Sequence, residues 1–256
     1  MSKKIILLFL VLSGLLGSAP MKHSPQISGN YLKYKQLTAA QPQNKAYLFE
    51  FAMNLAAMGR IEQAGAVLQK IDELDDNYAR TVLNQLEARR RSGQADWWTR
   101  FKLGFVYYFL YEEANGRIEL ARRRIKRAED NKPSDKAKII TAETAVIAEK
   151  TPAASYYQSA SLANFYAVAT KTPPDYLNAW GYAYMAAVQG IAQNWAEAKR
   201  LCELALDIEP NAYAIRAAYM EALRQTGNLL KAAGELSRAL GLKSEQEAYE
   251  KKIFNE

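Results

Sequence analysis

The chain contains a single cysteine and a single histidine. Cys202 has nothing to pair with, so an internal disulfide is excluded and the fold must be held by packing alone. At an apolar position of a helical pattern, it reads as a buried inert thiol. His23 lies near the N-terminus, outside every periodic segment, which leaves acid and base chemistry of the histidine type without a carrier. No cysteine, histidine or carboxylate cluster has metal-ligand spacing, and no glycine-rich phosphate loop occurs. Catalysis is therefore not expected, and neither is a metal or another cofactor. The eight prolines are placed so that none interrupts a helix-period run, the punctuation of an all-helical protein.

Charge of one sign is not strongly in excess: 34 basic residues face 27 acidic ones, for a net +7. No apolar run reaches the roughly 20 residues needed to cross a bilayer. The longest begins after Lys3 and Lys4 as IILLFLVL and continues as SGLLGSA. With its small-residue end, residues 1–19 read as an export signal or, since Pro20 follows Ala19 where cleavage works poorly, as an uncleaved N-terminal anchor. No cysteine follows the run to carry a lipid. The expected location is periplasmic or secreted, which makes nucleic acid a poor partner. Loss of Lys3 and Lys4 would leave 32 basic residues against 27, or +5.

What the chain does have is a period. Between Asn194 and Lys243, Ala198, Cys202, Ala205 and Ile208 recur 34 residues later as Ala232, Leu236, Ala239 and Leu242, and Gly227 opens the second copy. Two helices approach to about 8–10 Å only where crossing side chains are small, which explains the alanines. Pro210 cannot continue a helix and marks the turn into the next hairpin. A fixed period of this size signals stacked helical hairpins, none able to bury its apolar face alone.

These residues resemble the tetratricopeptide repeat, two antiparallel helices with small residues at the crossings and a proline past the second. The resemblance implies an all-α, right-handed superhelix of about five such hairpins, with half-repeat caps, over residues 27–256. Residues 27–41 read as the first cap. Residues 45–77 form a full hairpin turning at Gly59. An aromatic helix near 96–113 follows, and GRIELA (116–121) then echoes GRIEQA (59–64) as a second helix. Two helices flank a break at Thr151-Pro152, two further hairpins follow, and SEQEAYEKKIFNE closes the stack as a charged cap.

In this repeat class the first helices line a concave face, which implies that Phe49, Met53, Trp98, Phe101, Phe105, Tyr108, Trp180 and Tyr184 lie on or near a groove. They then grip a peptide or helix segment of another protein, each ring burying about 150–250 Å². The same spacing also suits rings that only fill the core. The lysine, asparagine and arginine clamp some members use for a C-terminal carboxylate is not matched. A different reading closes the irregular middle into an enclosed small-molecule pocket. The basic stretch Arg122, Arg123, Arg124, Lys126 and Arg127 is either a solvated helix back or a contact for an anionic membrane or acidic partner.

Overall fold

The computed structural model describes residues 23–131 and 133–254, so the expected leader lies outside the described residues. Among them there is no strand. Ten helices follow one another: α1 (Pro25–Ala40), α2 (Lys45–Ala57), α3 (Ile61–Leu74), α4 (Tyr78–Arg91), α5 (Trp97–Asn131), α6 (Lys136–Ala169), α7 (Tyr176–Ile191), α8 (Trp195–Ile208), α9 (Tyr213–Gln225) and α10 (Leu229–Phe254). Chain neighbours pack side by side, most extensively α5 with α6 and α7 with α8, whereas α3 and α4 barely touch.

The 34-residue period is visible in the backbone. Gly59, Gly93 and Gly227 sit at φ +76°, +74° and +80°, and Gln193 at +60°. Gly59 and Gly93 are one period apart, as are Gln193 and Gly227. Each of the four ends a helix the same way. The left-handed residue donates its N–H three residues back, Gly59 to Ala56 at 3.1 Å, and the next residue donates five back, Arg60 to Leu55 at 2.9 Å. The two bonds satisfy carbonyls that a helix end otherwise leaves bare, in a conformation that costs glycine almost nothing. The small residues behave as their spacing requires: Ala198, Cys202, Ala205, Ala232 and Ala239 are buried between helices.

Two expected breaks are absent. The aromatic helix and the GRIELA segment form one uninterrupted α5 of 35 residues. At the expected break the one breaker is Gly116, which costs only about 1 kcal/mol. Ala114, Ile118 and Ala121 keep a buried stripe running through it, and that burial outweighs the glycine. The break at Thr151-Pro152 is also missing, because α6 carries Pro152 inside its 34 residues. Thr151 and Pro152 are both exposed, so the carbonyl left without a donor can face water. The Thr151 hydroxyl donates to the Ile147 carbonyl at 2.7 Å, satisfying a neighbouring acceptor where the ladder is weakest. The C-terminal segment, likewise, is the continuation of α10 and not a separate cap helix.

The two ends of the stack meet. Tyr184 donates its hydroxyl to the Ala56 carbonyl at 2.8 Å, and Tyr176 donates to that of Ala57. The Trp180 indole lies so close to Gly59 that a Cβ there would stand 2.3 Å from the ring. Tyr31 of α1 packs on Phe254 of α10, ring centroids 4.7 Å apart. Inside the loop so formed, Phe165 stacks on Tyr184 at 5.1 Å, while Phe105 and Phe101 meet the same ring edge-on at 5.2 and 5.7 Å. Gly104 lets α6 approach α5, since a Cβ there would come within 2.8 Å of the Phe165 ring.

Candidate functional site

The eight residues expected on a groove are brought together, but mostly as interior. Phe49, Met53, Phe101, Phe105, Trp180 and Tyr184 are all buried, so as the molecule stands they present little surface to a partner. Trp98 and Tyr108 are half-buried. Trp98 stacks on Phe101 at 5.3 Å, and Lys102, ion-paired with Glu50 at 2.7 Å, sits 5.9 Å from its ring. The physical reason is the closure just described: residues 176–184 lean on residues 56–60 and fill the space that an open stack leaves to solvent.

Six of the eight residues line two small apolar clefts among the described residues. Phe49, Met53 and Phe105 form the floor of the first, where α3 and α4 splay apart over α2 and α5. Its rim is Leu68, Tyr78 and Phe109, all half-buried, with Asp72 and Asp75 at the edge. The Asp75 carboxyl is held below its ordinary range by a hydrogen bond from Lys45, whose ammonium at 2.6 Å offsets its charge, so the unbalanced negative charge of the edge is that of Asp72. Tyr108, Trp180 and Tyr184 line the second cleft, between α3, α5, α7 and α9. The free volumes are about 30 and 20 Å³, room for one or two water molecules. An enclosed pocket for a drug-sized ligand needs several hundred.

One cluster escaped the sequence reading. His23 is buried where the chain ends meet, its Nε2 2.6 Å from Glu250 Oε1. The Arg60 guanidinium reaches the other Glu250 oxygen at 2.7 Å and donates to the Tyr31 hydroxyl at 2.9 Å. Gln246 donates to Glu250 at 2.7 Å. Burial acts to raise the Glu250 carboxyl, but the hydrogen bonds from His23 and Gln246 and the Arg60 charge outweigh it and hold the group below its ordinary range. His23 follows no period and Arg60 replaces no expected core residue, so nothing in the pattern could pair residues 227 positions apart. The Arg60, Glu250, Tyr31 and Gln246 polar groups are turned on one another, with His23 Nε2 among them and His23 Nδ1 buried without a hydrogen-bond partner among the described residues, the arrangement of a structural clasp.

The basic stretch lies on α5 with Arg122, Arg123, Arg124, Lys126 and Arg127 exposed. Arg122 pairs with Glu119 at 2.6 Å and Arg124 with Glu143 of α6 at 2.9 Å. Burial pushes the Cys202 thiol up to about 12, the chemistry of an inert core group. Among the described residues no group of three or more histidine, cysteine or carboxylate side chains could hold a metal, and no helix is long and apolar enough to cross a membrane.

The fold and these surfaces define a class: an all-helical stack of adjacent hairpins, closed end to end by a buried ionic clasp. No family model, curated protein or solved structure matches the chain.

Proposed function

We propose that the chain is a non-catalytic scaffold of the cell envelope, built as a tetratricopeptide-like superhelix, that holds an apolar peptide or helix segment of another protein. The observation that carries this reading is the first cleft. It is a shallow apolar floor with a half-exposed aromatic rim, over which a large apolar side chain of a partner segment can lie, and Asp72 at its edge can meet a basic neighbour on that segment. Aromatic rims around a dry floor are where binding energy concentrates in protein interfaces. Four equivalent turns in two 34-residue pairs support the repeat reading, and the apolar run at residues 5–17 supports the envelope. The small-molecule reading has less behind it, given cavities of 20 to 30 Å³.

The test is a photo-crosslinking amino acid at position 109, introduced in the native host, with the same group at exposed Tyr166 as control. A discrete protein adduct at position 109 alone, lost on Leu68→Asp, is the expected result. Phe109→Ala should weaken that partner by roughly tenfold to a hundredfold while the helical circular dichroism holds. Identical adducts at both positions, or none, would remove the cleft from consideration.

A further inference from the structure

The outer half of the α5–α6 hairpin belongs to no part of the packed body. The apolar clusters of the fold include no residue between Ile118 and Ile147, and among the described residues none of α6 from Lys136 to Ala153 is buried. From Ile118 to Asn131 α5 therefore runs about 20 Å with α6 as its companion, a two-helix arm. Its inner stripe is Ile118, Ala121 and Ala128, enough to hold two helices together.

This arm is rich in cations. Residues 118–153 hold nine basic residues against six acidic ones, a net +3. Arg122 and Arg124 are engaged by carboxylates. Arg123, Lys126, Arg127, Lys136 and Lys138 have no ion-pair partner among the described residues and are exposed or half-exposed. Leu120, 49% exposed, lies three residues before Arg123 and seven before Arg127, on the same side of the helix. The outer side of α6 is small and flat, with Ala137, Thr141, Ala142, Thr144 and Ala145 exposed.

We propose that this arm is an electrostatic contact for an anionic bilayer surface. Free cations on a projecting element are what a negatively charged leaflet attracts, at roughly 1 kcal/mol per residue near the surface, which is about fivefold in partitioning. The flatness of the arm favours lipid over a folded acidic partner. A protein interface concentrates its energy in pockets and aromatic anchors, and the arm has neither, whereas a fluid array of headgroups needs only accessible charge. Residues 112–155 contain no aromatic side chain, so the arm offers no stacking platform for bases. This surface is separate from the cleft and stands without it.

The experiment is co-sedimentation of the full chain with neutral phosphatidylcholine vesicles and with vesicles containing about 30 mol % phosphatidylglycerol. The N-terminal apolar run meets both compositions alike and Lys3 and Lys4 are the same in parent and variant, so the change in the ratio of the two partition coefficients on substitution reads the arm. The expected ratio is well above one at low salt and falls steeply by about 0.15 M, where the screening length is about 8 Å. Arg123→Gln/Lys126→Gln/Arg127→Gln should lower the ratio about a hundredfold or abolish it. These side chains are exposed, so urea unfolding of the variant should match the parent and separate lost binding from lost fold. A ratio of one in the parent, or an unchanged ratio in the triple variant, overturns the proposal. So does binding to duplex DNA or to an acidic protein that is tighter than to anionic vesicles at the same salt and equally sensitive to the triple variant.

Discussion

Placing a methyl group on Gly59 probes the closure of the stack directly. Two costs arise there and can be separated. The first is backbone: at φ +76° an alanine occupies the left-handed region, which costs roughly 1–2 kcal/mol. The second is steric, because the added Cβ would stand 2.3 Å from Trp180 Cη2 and 2.6 Å from Cζ2. Trp180 is itself fully buried, so the ring cannot swing aside without displacing Tyr184 or lifting α7 from α2, and overpacking of this kind typically adds about 1–3 kcal/mol. Gly93 supplies the internal control. It has the same turn geometry at φ +74° and nothing within 4 Å of a Cβ, so Gly93→Ala carries the backbone cost alone. Urea unfolding followed by circular dichroism should therefore show Gly93→Ala down by about 1–2 kcal/mol and Gly59→Ala by about 2–5. The difference between the two measures how firmly α7 bears on the α2–α3 turn. Equal losses would mean that Trp180 is not seated there, and the account of the closed stack would fail.

Further outcomes follow from the clasp and the buried thiol. The Glu250 carboxyl titrates below its ordinary value of 4.5 in the folded chain. Its contribution is complete above that value and is lost as the pH falls through the lowered folded one. Glu250→Gln should cost roughly 3 kcal/mol at neutral pH by leaving the buried Arg60 without its counter-charge, and should flatten the acid limb of a stability-against-pH curve; curves that stay parallel between variant and parent would exclude this role. Cys202, with its thiol pushed up to about 12, should react with a thiol reagent at neutral pH only as fast as the protein opens, so prompt labelling of the native chain would contradict its burial.

Much of the helical architecture could be read from the sequence because it is local. The alanines at 198, 205, 232 and 239, the turn glycines and Pro210 each act on residues within one or two turns of themselves. Helix continuity through Gly116 and Pro152 is not legible in the sequence for a related reason. Both are breakers by local propensity, and both are overruled by a buried stripe or by solvent access that only the assembled hairpin provides. The aromatic residues show where periodicity runs out. Helical spacing puts Phe101, Phe105, Trp180 and Tyr184 on inward faces, but whether that interior is a wall or a filling depends on whether residue 184 reaches residue 56. The contact spans 128 positions and leaves no trace in any window of the chain. His23 illustrates the same limit, since its partner Glu250 lies almost at the other terminus.

The clasp also bears on how such a chain can change over time. A ribbon of hairpins with bare ends tolerates duplication or loss of a unit, because every internal boundary resembles every other. Here, inserting one more hairpin would carry Glu250 and Phe254 away from Arg60, His23 and Tyr31, stranding charges on both sides of the gap. The number of hairpins is thereby counted by an ion pair, and lineages of this molecule are expected to vary in the reach of their arm long before they vary in the number of their turns.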